Sequence, residues 1–219
     1  VEVERTGAAQ SGQRETWARA TTNPPTGGMG WTRHPAPTRL LAMLNRRHLL
    51  MGLSAVAAPL PCWAAEPVKI AFVDTGNTGR GLMAEVLARA EAARRSLPVA
   101  LISRGLNPDP FDERAEANAK ILLMNRGIDV AGHRARHLEP GDIVHADLIL
   151  TMTTDHVAGV RALAPYAATK TFTLASYAIG ADEQIPDAWG KPMAAYEAVI
   201  AQLDRLIPLA LTKATAGRT

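Results

Sequence analysis

Short apolar strands alternating with helical periods predict an α/β protein: a three-layer α/β/α domain around a central four-stranded parallel sheet. Three observations lead there. Four short runs, residues 68–73, 99–103, 147–152 and 170–174, are apolar and rich in branched side chains, as strands covered on both faces are. Helical periods follow or separate them, over residues 80–96, 111–126, 155–163 and 193–212. The first strand enters the next helix through a short glycine-containing loop, residues 74–80, at the strand end where such sheets gather ligands.

The first unit carries most of the chemistry. Residues 68–90 read VKIAFVDTGNTGRGLMAEVLARA, a branched run, a tight loop, and a helix with Leu82, Val86 and Leu87 on one side. The first turn of a helix has unpaired N–H groups, and its macrodipole places partial positive charge there. Gly76 and Gly79 permit backbone angles that turn several N–H groups inward. Arg80 adds a planar fork suited to phosphate oxygens. Residues 75–81 (Thr75, Gly76, Asn77, Thr78, Gly79, Arg80 and Gly81) thus form a cup for a phosphate-sized anion.

This stretch resembles the signature loop of the low-molecular-weight protein tyrosine phosphatases, V-C-x-G-N-x-C-R-S-P-M-A-E. The same positions here read Val73, Asp74, Thr75, Gly76, Asn77, Thr78, Gly79, Arg80, Gly81, Leu82, Met83, Ala84 and Glu85. The resemblance implies that Asp74 stands at the nucleophilic cysteine, Gly79 at the second loop cysteine, and Gly81 at the serine that steadies the thiolate. It continues through Ser103-Arg104-Gly105, where the family has Ser-Ala-Gly, and through residues 126–156. Ile185-Pro186-Asp187-Ala188-Trp189-Gly190 matches the loop written P-D-P-Y, which implies that Asp187 holds the general-acid position. Ala188 and Trp189 depart from the proline and tyrosine. The likeness spans roughly residues 68–209.

Residues 1–65 differ from the rest. Residues 1–42 are rich in Pro, Gly and Thr with no sustained apolar period, and are expected to be a disordered extension or an over-extended start, since Met43 sits where a start would. Residues 43–65 combine Arg46-Arg47, a short apolar run and small residues at the end, which reads as a twin-arginine-type export signal and a periplasmic destination. The apolar run is too short to span a bilayer comfortably. The domain is expected over residues 66–212, with 213–219 as a tail. Cys62 is the only cysteine, so an internal disulfide and a cysteine-based zinc site are excluded, and signal cleavage would leave no thiol. The net charge of +3 belongs to the leader. Seven of the 24 basic but only three of the 21 acidic residues lie in 1–65, leaving 17 basic and 18 acidic. That balance gives no footprint for nucleic-acid binding.

Asp74 decides the functional expectation. A thiolate attacks phosphorus and later departs, whereas a carboxylate is a far weaker nucleophile. Aspartyl phosphates form elsewhere with a bound Mg²⁺, and no second carboxylate stands beside Asp74 in the sequence to hold one. Asp74 is therefore expected to fill the cup itself, paired with the loop amides and Arg80. Trp189, with the region of Tyr177, is a candidate aromatic wall. His133, His137 and His145 read as satisfied histidines rather than metal ligands, and no cofactor is expected. Two readings stay open: an exported, catalytically impaired family member that binds a phosphate-like anion or a partner, and an active phosphomonoester hydrolase with a non-cysteine mechanism. Arsenate-reductase chemistry, which that fold also supports, needs thiols.

Overall fold

The computed structural model of the protein describes residues 66–217. Both segments of the expected leader, 1–42 and 43–65, lie outside them. Within them the chain runs β1 (Val68–Asp74), α1 (Arg80–Arg95), β2 (Val99–Gly105), α2 (Ala117–Met124), α3 (Pro140–His145), β3 (Leu148–Thr151), α4 (Thr154–Leu163), a 3-10 segment (Pro165–Lys170), β4 (Thr171–Thr173), α5 (Leu174–Ile179) and α6 (Met193–Thr215). The four strands form one parallel sheet in the order β2-β1-β3-β4.

Alternation along β1 divides the core. Val68, Ile70 and Phe72 pack with Leu82, Met83 and Leu87 of α1 and with Val199, Leu203 and Leu206 of α6. Ala71 and Val73 face the other way, with Ile149 of β3, onto Ile143 of α3 and Val160 of α4. A parallel strand needs this double cover, because both faces are apolar. Among the described residues no helix is long and apolar enough to cross a membrane.

The four strands and the first and last helices lie within a few residues of their expected positions; α6 runs to Thr215, three residues past its expected end. The expected helix over 111–126 begins only at Ala117. Ahead of it, Asp109 Oδ1 accepts the Phe111 N–H and the Glu116 N–H donates to Thr78 O, so this stretch crosses to the signature loop instead of coiling. Two helices, α3 and α5, were not anticipated. Each has six residues, too short for a period to register. The first opens with a capping box between Glu139 and Asp142; in the second, Thr173 Oγ1 accepts from Ser176 N.

Candidate functional site

The signature loop hangs from the C-terminal end of β1, the middle of the sheet. Asn77 adopts a left-handed backbone (φ 59°), which asparagine tolerates better than most residues. That turn points its N–H back at Asp74. Asp74 is almost completely buried, and both its oxygens accept a backbone hydrogen bond. The Asn77 N–H donates to Oδ1 at 2.7 Å, and the Gly81 N–H, in the first turn of α1, to Oδ2 at 2.7 Å. Those are the donors that a loop of this shape would otherwise offer to an incoming anion.

Two glycines make room for carboxylates. A Cβ on Gly81 would stand 3.0 Å from Cγ of Asp74 and 3.1 Å from Oδ2. A Cβ on Gly79 would stand 2.5 Å from Oε1 of Glu116. Glu116 reaches this point from the N-terminus of α2, accepting from Thr78 Oγ1 at 3.1 Å and closely from the Tyr196 hydroxyl of α6. Asp74 and Glu116 are thus seated where the loop has shed its side chains. Both are poor places for charge. Burial pushes the Asp74 carboxyl up, against the Gly81 and Asn77 N–H groups and Arg80, which pull it down. Burial also raises Glu116, opposed by its bonds from Tyr196 and Thr78. Tyr196 in turn is raised by burial and by Glu116.

Arg80 is buried, but it does not pair with Asp74 as the sequence reading expected. Its Nη1 donates to Ile185 O at 3.1 Å, and its Nη2 lies 3.2 Å from Oδ1 of Asp187. The 185–190 loop is docked by the Ile185 N–H on Met152 O, at the end of β3. The strand order therefore brings Asp187, more than a hundred residues away in sequence, to Arg80. The Asp187 side chain is 59% exposed, so this pair faces the opening.

The loop is braced from behind. Gly105 must be glycine: a Cβ there would meet Thr75 O at 2.8 Å. His133 Nε2 hydrogen-bonds Asn77 O at 2.6 Å, and the Arg136 N–H donates to Asn77 Oδ1 at 3.0 Å. His156 sits between two hydroxyls, Thr75 Oγ1 on Nε2 (2.9 Å) and Thr153 Oγ1 on Nδ1 (3.0 Å). Burial, and then the charge of Arg80, lower its pKa to about 4, so it is neutral at pH 7. Sequence reasoning passed over His156 and saw only a satisfied residue in His133. No local pattern reveals that either meets the loop, because the contacts cross 81 and 56 residues.

A cavity of about 280 Å³ opens over the loop. Asp74, Thr75, Gly76, Thr78 and Arg80 line its floor, and Asp187 and Trp189 one side. Asn77, Gly79 and Gly81 shape the loop without lining the cavity. Tyr177 is not part of it: its ring packs on Phe172 (5.7 Å) and beneath Nζ of Lys213 (4.7 Å). The remaining wall was not foreseen. It is mostly acidic: Asp109, Asp112 and Glu116, with Asn107, all from the segment leading into α2. The sequence shows no carboxylate next to Asp74, but the fold supplies several. Among the described residues no three His, Cys, Asp or Glu side chains converge as metal ligands do. His137 and His145 bond to the carbonyls of Leu138 and Gly141, away from this site.

The family model for low molecular weight phosphotyrosine protein phosphatase matches residues 69–215. A protein-arginine-phosphatase of Geobacillus stearothermophilus is 37% identical over 142 residues, 64% of this chain and 92% of that one. The low molecular weight protein-tyrosine-phosphatase Etp of Escherichia coli K12 is 32% identical over 136 residues, covering 62% and 87%. A solved arginine phosphatase, YwlE, in a cysteine-to-serine mutant with a phosphorylated active-site serine, superposes with a TM-score of 0.65 at 29% identity, covering 68% of this chain and 97% of that one.

Proposed function

The chain belongs to the low molecular weight phosphotyrosine protein phosphatase family, and from that premise we propose that it is an impaired member, a pseudophosphatase that binds without turnover. One observation carries this reading. The carboxylate of Asp74 takes the Asn77 and Gly81 N–H groups at 2.7 Å each, so the loop's anion seat is filled from within. The described residues contain no cysteine to act as a thiolate, and the chain's one cysteine is Cys62. A buried carboxylate held by both oxygens is also badly placed to attack phosphorus.

The test is hydrolysis of p-nitrophenyl phosphate by the full chain. The expected rate is near background, since loss of a covalent nucleophile commonly removes several orders of magnitude. Arg80→Ala then changes little. A robust rate abolished by Asp187→Ala would overturn the reading. That outcome would favour the second reading, an active hydrolase with an oxygen nucleophile. The phosphorylated serine in the YwlE mutant supports it, as an oxygen side chain that carries phosphate in that relative. Two relatives are named for arginine and others for tyrosine phosphorylation, so the side chain presented to the pocket belongs to one of these two classes under either reading.

Export is part of the same proposal and rests on residues 43–65. Arg46→Lys with Arg47→Lys is expected to hold the precursor in the cytoplasm. Fractionation that finds the unaltered chain at full length in the cytosol would overturn it.

A further inference from the structure

We propose that Thr75, His156 and Thr153 form a second catalytic arrangement at this cavity, in which the Thr75 hydroxyl attacks the carbonyl carbon of a neutral carboxylic ester with His156 as its base. The inference goes beyond the proposed function and rests on its premise that the Asp74 carboxylate keeps the anion seat. The three side chains hydrogen-bond in a row, Thr75 Oγ1 with His156 Nε2 at 2.9 Å and His156 Nδ1 with Thr153 Oγ1 at 3.0 Å. Thr75 is exposed and lines the cavity, whereas His156 is buried. A hydroxyl open to a ligand, a base in hydrogen-bond reach and a third group that orients the base are the parts that nucleophilic catalysis by an alcohol needs.

The fold holds the base ready. His156 stands in the first turn of α4, and the N-cap Thr153 accepts its N–H. Positive charge is disfavoured at that helix end. Burial and then Arg80 act in the same sense, against the pull of Asp155 and Asp187, so the ring is neutral. With Nδ1–H donated to Thr153 Oγ1, the Nε2 lone pair is left for the Thr75 O–H. The substrate class follows from what the loop still offers. Asp74 takes the Asn77 and Gly81 N–H groups, which leaves a phosphate dianion poorly held. Gly76 and Thr78 also line the cavity, and among the described residues neither of their N–H groups has an acceptor. A carbonyl enters uncharged and needs donors only as its oxygen becomes negative. Acylation forms the Thr75 Oγ–C bond and breaks the ester C–O bond, while the Thr75 proton passes to Nε2 and on to the departing alcohol. Water then attacks the acyl-threonine and gives a proton to Nε2, and Thr75 Oγ departs and takes that proton back.

The full chain is given p-nitrophenyl acetate, a neutral ester, and both the release of p-nitrophenol and the site of acetylation are followed. The expected result is a burst of p-nitrophenol that leaves an acetyl group on Thr75, located by fragment masses within the tryptic peptide 70–80. A burst is expected because so weakly basic an imidazole activates water slowly. Thr75→Ser keeps the burst and carries the acetyl group. Thr75→Val, which lacks the hydroxyl, and His156→Gln, which can still hydrogen-bond Thr75 but takes no proton, each slow the burst at least about ten-fold. Thr153→Val slows it less, and Thr153→Ser restores it. Melting of each variant separates loss of chemistry from loss of the fold. No release above the uncatalysed rate, release without acetyl on Thr75, or an unchanged burst in His156→Gln would each overturn the proposal. Turnover of p-nitrophenyl phosphate in the same sample would overturn the underlying reading of Asp74. Absence of both phosphate turnover and acetylation of Thr75 would overturn the ester site alone.

Discussion

Two buried carboxylates lie close to the ends of neighbouring strands and are treated differently. Asp142 of α3 is met by Arg104 of β2 in a two-point pair, Nε to Oδ2 at 2.8 Å and Nη2 to Oδ1 at 3.0 Å, with side chains 6% and 8% exposed. Asp74, one strand over, is met by two neutral N–H groups while its neighbour Arg80 turns to Asp187. The first carboxylate is neutralised and fastens β2 to α3. The second is only solvated by dipoles, so its negative charge remains to be felt in the cavity. A structural ion pair and a lodged anion thus differ by where one arginine points.

Removing one partner separates the two cases most strongly. Arg104→Ala strands the Asp142 charge, and Asp142→Ala strands that of Arg104. Each is expected to cost about 3–5 kcal/mol, read from urea unfolding. Asp74→Ala removes a carboxylate that burial disfavours and two hydrogen bonds that favour it, so its net effect is expected to stay within about 1 kcal/mol. Equal losses at the two sites would erase the distinction.

Acid titration probes the same neighbourhood with a smaller effect. The His156 pKa is lowered in the fold from 6.5 to about 4, so its contribution is fully present above 6.5 and lost as pH falls through that window. The upper bound is about 3 kcal/mol, to be discounted for solvent screening. Asp74 works with the opposite sign. Its folded pKa lies above 3.8, so its ionisation costs stability above that value, and the cost fades as pH falls. Melting from pH 7 to pH 4 in the unaltered chain and in His156→Gln checks this. A pH slope unchanged by the substitution would mean that His156 is not held neutral by the fold.

These differences were only partly visible in the sequence. The strands, the loop and the parallel sheet followed from apolar runs and helical periods, which are local, whereas the order of the strands came only with the structure. The cup followed from Gly76, Gly79 and Arg80 at the entrance to a helix. The partner of Arg80 did not, because a guanidinium on a flexible stem has several acceptors in reach and the choice depends on where the 185–190 loop docks. The acidic wall was hidden for a related reason. Asp112 and Glu116 sit in the stretch that reads as helix, residues 111–126, with Asp109 just ahead of it, where they would have formed a solvated face. Its backbone bonds instead to the signature loop, which turns those acids towards the cavity.

Binding tests the lodged anion at a scale nearer 1 kcal/mol. With Asp74 ionised, a phosphate dianion meets a fixed charge a few ångströms away, a repulsion of roughly 1 kcal/mol even when well screened. Asp74→Ala is therefore expected to tighten phosphate or sulfate binding roughly five-fold by calorimetry. Asp74→Cys alone restores at most weak turnover, because Gly81 offers no hydroxyl to steady a thiolate. Unchanged or weaker anion binding in the alanine variant would mean that Asp74 does not occupy the seat.

The smallest effect is expected at an ion pair that copies the geometry of Arg104–Asp142 in a wetter place. Arg126, after α2, meets Asp204 of α6 at two points of 2.8 Å, with side chains 37% and 44% exposed. Water solvates either partner when the other is removed, so no stranded charge results. Arg126→Ala is expected to cost less than about 1 kcal/mol and to lose even that at high salt. The ratio of this loss to that of Arg104→Ala measures what burial adds to one and the same two-point contact. A loss at Arg126 as large as at Arg104 would mean that geometry, not desolvation, sets the strength of these pairs, and the contrast with Asp74 would then need another origin.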